Sequence, residues 1–203
     1  MDISSSRFKN VIIYIAIVGA VMLMGSPFAT ASSFSPSQGY SHPYPSNLEA
    51  GDLVFGYTPW LSIIPGYWTH VGIIKGYDPS IHDWIVIEAT PEYGIKTTPL
   101  REFLQRYPVV AAERVYTSND IRLGAVQFAK EQIGKPYDWH LWTKHVYGSD
   151  YYCSELVWAS YLVAGGIDLD EHPGWSWTYA YGVAPQEIFD DGYTYLIYYS
   201  SVS

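Results

Sequence analysis

An α+β domain, a mostly antiparallel sheet with a few helices packed on one side, is predicted by two features of the sequence. Short β-branched and apolar runs, separated by glycine or polar turns, fill residues 53–89. Two helix-length segments with glycine stops appear only after residue 118. A mostly antiparallel sheet with a few helices packed on one side is an α+β layout.

The first 31 residues lie outside this scheme. Arg7 and Lys9 precede an uncharged apolar run, Val11 to Met24, which Gly25-Ser26-Pro27 breaks. Ala29-Thr30-Ala31 then offers a small-x-small cleavage site, so residues 1–31 read as a secretory signal peptide. The run is shorter than the about 20 apolar residues of a full span, which favours cleavage over a retained anchor. No cysteine follows it to carry a lipid. Residues 32–46, rich in Ser, Pro, Gly and Tyr, read as a flexible leader, with the folded domain over 47–203. The protein is then secreted or in the cell envelope, touching a membrane only through an uncleaved signal sequence.

Within the domain, Leu53-Val54-Phe55 follows the Gly51-Asp52 turn as a short strand. Thr69 to Lys75, ended by Gly76, reads as a buried strand, and Trp84 to Ala89 as a third. Pro99 to Tyr107 has helical spacing in Leu100, Phe103 and Leu104, and Val109 to Tyr116 reads as a fourth strand. Ser118 or Asn119 caps a helix whose apolar face is Ile121, Ala125, Phe128 and Ile133, stopped by Gly134 and Pro136. An aromatic, histidine-containing loop spans 135–150. A second helix runs from Cys153 to Ala164, with Leu156, Val157, Tyr161 and Val163 apolar, and Gly165-Gly166 ends it. After an aromatic loop over 175–182 come a helical turn, Pro185 to Phe189, and a last strand, Tyr193 to Tyr199.

The chain of 203 residues carries a formal net charge of -9 with no cluster of Lys or Arg, which excludes a phosphate-backbone partner. Eight Trp and 20 Tyr are enough to line a sugar or peptide groove, or simply to fill a core. No HExxH or paired-cysteine spacing occurs, and His140 and His145 stand five apart, so no metal and no cofactor is expected. Gly174-Trp175-Ser176-Trp177 lacks the second glycine of a serine nucleophile elbow.

Cys153 is the single cysteine, so no internal disulfide can explain it. At a helix start, unpaired N–H groups and the positive dipole end favour a thiolate. Thiol catalysis also needs an imidazole and a group to orient it. His70 heads one strand and Glu88 ends the next, so antiparallel pairing would bring the two side by side. A lone cysteine is otherwise an inert buried residue, and a strand histidine a satisfied core residue.

Five blocks decide between these readings. Gly51-Asp52-Leu53-Val54-Phe55, Thr69-His70-Val71-Gly72-Ile73-Ile74 and Val86-Ile87-Glu88-Ala89 resemble strand signatures of NlpC-type papain-like peptidases. Gly134-Lys135-Pro136-Tyr137-Asp138-Trp139 and Tyr152-Cys153-Ser154-Glu155-Leu156-Val157 resemble that family's other two signatures. Here the histidine and glutamate blocks precede the cysteine block, the order of the circularly permuted, YiiX-like (YaeF/YiiX) amidases.

The resemblance implies a permuted papain-like fold with Cys153 as nucleophile, His70 as base and Glu88 as orienting group. It implies that the Tyr137 hydroxyl assists the Cys153 N–H at the oxyanion, and that the substrate is a peptide or acyl-amide, with cell-envelope material one candidate. Two departures stand out: His140-Leu141 replaces the usual glycine pair after the tryptophan, and Glu155 replaces a glycine. A lipid or ester acyl hydrolase or acyltransferase on the same triad remains open, as does a non-catalytic glycan- or peptide-binding module.

Overall fold

The computed structural model describes residues 39–59 and 64–202; the signal-peptide reading of 1–31 lies outside them. Six antiparallel strands form one sheet: β1 (Leu53–Tyr57), β2 (His70–Asp78), β3 (Asp83–Thr90), β4 (Gly94–Pro99), β5 (Val109–Val115) and β6 (Thr194–Ser201), in the order β4-β3-β2-β1-β5-β6. Among the described residues four helices accompany them: α1 (Leu100–Gln105), α2 (Asn119–Glu131), α3 (Cys153–Gly165) and α4 (Pro185–Asp190).

β4 is absent from the sequence reading. Its Gly-Ile-Lys-Thr-Thr-Pro composition gives no apolar run. As an edge strand it tolerates Lys and Pro, which a central strand does not.

Side-chain alternation along the strands feeds two cores. Leu53 and Phe55 of β1, Val71 and Ile73 of β2 and Ile87 of β3 pack with α2 and α3. Val54, Ile74 and Val86, from the same strands, pack with Leu100, Phe103 and Leu104 of α1. Helices therefore cover both faces, a correction to the one-sided packing read from the sequence: a six-residue amphipathic helix shows that it packs, but not on which face.

Two expected apolar positions also point outward. Ile133 lies past the end of α2 and Val163 on the last turn of α3, both exposed. The first nine residues of α3, Cys153 to Tyr161, are all buried, so this helix runs through the interior from its first residue.

The leader is pinned where it is described. Tyr40 N–H donates to Gln105 O, and His42 bonds Ser200 Oγ and Tyr107 O at 2.8 Å each. Tyr198 donates to Pro43 O at 2.5 Å. The flexible-leader reading of 32–46 thus fails from Gly39 onward, because these long-range bonds leave no mark in the local composition.

Gly94, at the start of β4, has φ +67°, and a Cβ there would lie 2.2 Å from Lys135 O. This close approach seats the β3–β4 turn on the backbone just before Tyr137, where Ile95 N–H donates to Lys135 O at 2.9 Å. Gly166, which ends α3, has the same φ of +67° but nothing within 4 Å. Both Gly→Ala variants incur a left-handed backbone cost of ~1–2 kcal/mol, and only Gly94→Ala adds the overlap. Thermal melts should therefore show a larger drop for Gly94→Ala, at ~2–4 °C per kcal/mol. Equal losses would show that this contact does not constrain the fold.

Candidate active site

The register of β2 and β3, with Ile73 opposite Ile87, brings Glu88 diagonally across from His70. His70 Nε2 lies 2.7 Å from Glu88 Oε2. The Glu88 side chain has no solvent exposure, yet each of its oxygens has partners: Thr98 donates to Oε1 at 2.5 Å, and Arg106 Nη2 to both oxygens at 2.8 Å. Such a buried charge is tolerable only with this complement.

Arg106 follows α1, and its guanidinium lies over the Phe103 and Tyr107 rings. The same two rings flank the imidazole of His70, with centroids 5.8 and 5.9 Å away. Tyr107 is itself set by Gly56, where a Cβ would overlap its ring at 2.4 Å.

Cys153 arrives from the other layer as the first residue of α3, with Tyr152 as N-cap. Nε2 of His70 is engaged by Glu88, which leaves Nδ1 for the thiol. Burial opposes the Cys153 thiolate, but the His70 charge and the Val71 N–H outweigh it and hold the thiol below its usual value. Burial likewise opposes a charged His70, and the Cys153 and Glu88 charges overcome it, raising its pKa to about 9. Glu88 is pushed up by burial and pulled down further by His70 and Arg106, to about 2. These shifts all run in the direction of a thiolate–imidazolium pair backed by an ionised carboxylate. A helix N-terminus adds its dipole to the same end.

A cleft of roughly 810 Å³ opens onto Cys153 and His70, with Tyr137 and Tyr107 on its walls. Burial and the Cys153 charge raise the Tyr137 phenol above its ordinary value, so it stays a hydrogen-bond donor. All four residues singled out from the sequence, Cys153, His70, Glu88 and Tyr137, thus converge on one site. Arg106 and Thr98 were not foreseen. The only hint in the sequence is that a glutamate among apolar strand residues demands a partner.

Glu155 is pushed towards its neutral form beside the thiol. Burial raises it to about 8, against the pull of the His145 and Tyr152 N–H groups, which donate at 2.6 and 3.2 Å. It closes a capping box on α3 and ties the 135–150 loop to that helix.

The sequence reading treats His145 as a loop residue and expects no metal, whereas the fold brings Asp138, His145 and Glu155 together, their potential ligand atoms within 4.8 Å of one another. One ion bound at about 2.0–2.2 Å holds its ligands no more than about 4.4 Å apart, so these residues would have to draw in. Both Glu155 oxygens already accept backbone N–H groups and Asp138 Oδ1 accepts from His140, so the trio already holds the loop by hydrogen bonds.

A family model described as permuted papain-like amidase enzyme, YaeF/YiiX, C92 family, matches residues 47–198. An uncharacterized protein, YycO of Bacillus subtilis (strain 168), is 26% identical over 128 residues, 62% of this chain and 46% of the relative. The chain therefore spans about half the length of that curated relative. The crystal structure titled metalloprotein yiiX from Escherichia coli O157:H7 superposes with a TM-score of 0.59 at 22% identity, over 75% of this chain and 98% of that one. This last is a likeness of fold.

Glu88→Gln should lower stability near neutral pH by ~3–5 kcal/mol, the usual cost of breaking a buried pair from one side. Because the folded pKa of Glu88 is depressed, its contribution is present above its ordinary pKa and lost as pH falls towards about 2. The gap between parent and variant in urea unfolding should therefore narrow between pH 5 and about 2. A gap that is constant over this range would contradict an ionised, paired Glu88.

Proposed function

We propose, since this chain belongs to the permuted papain-like amidase family (YaeF/YiiX, C92), that it is a cysteine-dependent hydrolase cleaving amide bonds, peptide or N-acyl. Residues Cys153, His70 and Glu88 act as its triad. The observation that carries the reading is the continuous chain from Arg106 through Glu88 and His70 to a buried thiol opening on a cleft. An inert core cysteine needs no such charge-balanced imidazole beside it.

In the reaction, the Cys153 thiolate attacks the substrate carbonyl, forming a C–S bond and an oxyanion. The Cys153 N–H at the head of α3 and the Tyr137 hydroxyl stabilise that oxyanion. His70 gives its Nδ1 proton to the leaving amine as the C–N bond breaks. It then takes a proton from water, which attacks the thioester and releases the acid and the free thiol. Glu88 keeps His70 in the orientation and charge state both steps need, and Arg106 keeps Glu88 ionised. Export through the N-terminal segment would place cell-envelope amides within reach.

On a panel of fluorogenic acyl and peptidyl aminomethylcoumarin amides, Cys153→Ala and His70→Ala should each lose at least about a thousandfold in kcat/KM. Tyr137→Phe should lose about a hundredfold, mostly in kcat, as expected for a donor that acts in the transition state. Full activity in Cys153→Ala would remove the thiol mechanism. An unchanged kcat in Tyr137→Phe would remove the tyrosine from the oxyanion.

A further inference from the structure

We infer that residues 39–46 form a clasp on α1 and that His42 is a positioning residue of the thiol site; this rests on the thiol-hydrolase reading above. α1 carries more of the site than its own length can hold. Its six residues fall far below the about 12–15 that an isolated helix needs in water, and Pro99 caps it without a side-chain bond. Leu100, Phe103 and Leu104 bury its apolar side. Apolar burial is non-directional, so it sets the depth of the helix but not its rotation or its slide along the sheet. Yet Arg106 Nη2 has to meet both Glu88 oxygens at 2.8 Å, and the Tyr107 ring has to lie against His70.

The clasp supplies directional bonds at both ends. Where α1 stops, its last carbonyls lack intrahelical partners. Tyr40 N–H donates to Gln105 O at 3.0 Å, and His42 Nε2 lies 2.8 Å from Tyr107 O. A carbonyl only accepts, so that nitrogen carries the proton, while Nδ1, 2.8 Å from Ser200 Oγ, ties the ring to β6. The two clasped carbonyls bracket Arg106. The approach is close, since a Cβ on Gly39 would lie 2.8 Å from Gln105 Cβ. At the other end the Tyr44 hydroxyl donates to Asp83 Oδ1, and Asp83 Oδ2 accepts the Arg101 N–H, in the first turn of α1, at 3.2 Å. The Arg101 guanidinium lies over the Tyr44 ring.

Three contacts lead from His42 to the thiol. His42 holds the Tyr107 backbone, the Tyr107 ring lies on the His70 imidazole with the planes 17° apart, and His70 meets Cys153. Arg106, between the two clasped carbonyls, reaches the same imidazole through Glu88. Neither His42 nor Tyr44 lines the cleft, so their effect passes through α1 and the turn after it rather than through substrate. Freed from the clasp, Arg106 and Tyr107 keep their chemistry but lose their place. The imidazolium that holds Cys153 ionised is then less well supported.

The test reads the pH titration of Cys153 alkylation by iodoacetamide in the full folded protein, well below its melting temperature. His42→Leu keeps a side chain of similar bulk but no donor. Its midpoint should move upward by about half to one pH unit, the three- to tenfold that one hydrogen bond is worth. His42→Gln restores an N–H at the place of Nε2 and should return the midpoint to that of the parent. Tyr44→Phe, at an exposed position, unties the other end of α1 and should shift the midpoint the same way; it carries the test if His42→Leu fails to fold. Gly166→Ala, destabilised away from α1, should titrate as the parent does. A midpoint unmoved in folded His42→Leu and Tyr44→Phe, or moved as far in His42→Gln or Gly166→Ala, would overturn the clasp, while a parent thiol titrating below the free value leaves the hydrolase reading standing. A parent thiol that titrates at or above that value would overturn both.

Discussion

A carboxylate sealed from solvent governs the arrangement of this site. Glu88 sits inside the sheet with no exposed surface, and a charge there must be met by donors on every side. Three elements supply those donors, β2 through His70, β4 through Thr98 and the end of α1 through Arg106. The position of α1 on its face of the sheet, and the aromatic slot formed by Phe103 and Tyr107, follow from delivering Arg106. His70 is then fixed in orientation by the carboxylate and in plane by the two rings.

The thiol comes from the opposite layer. α3 packs with the core on the other face of the sheet, yet its first residue reaches His70 where β2 begins. The site is therefore a meeting point of two separately packed cores, and it depends on both. Burial by itself would leave Cys153 a neutral thiol and His70 a neutral imidazole; the mutual charge, the helix end and Glu88 reverse both preferences. Glu155, held close to neutral by its own burial, spares the thiolate a second negative neighbour.

Much of this was legible in the sequence for local reasons. β2 and β3 are β-branched runs bounded by turns, and antiparallel pairing of consecutive strands suffices to juxtapose His70 and Glu88. The start of α3 at Cys153 and its stop at Gly165-Gly166 are local signals too. What escaped depends on distant partners. β4 lacks an apolar run because it lies at the edge, and no motif surrounds Arg106, whose role is defined by a carboxylate 18 residues earlier. The pinning of Gly39 to Ser46 relies on contacts as far away as Ser200. The Asp138–His145–Glu155 trio forms only when the loop folds back onto α3.

If His70, held by Glu88, keeps Cys153 ionised, the thiol itself reports it. The direct measurement is the rate of Cys153 alkylation by iodoacetamide against pH, in the parent protein and in His70→Ala. In the parent, the reactive thiolate should form well below the free-thiol value of about 8.5, and the titration should move upward once His70 is removed. A parent thiol that titrates at or above the free value, with no response to His70, would contradict the pairing.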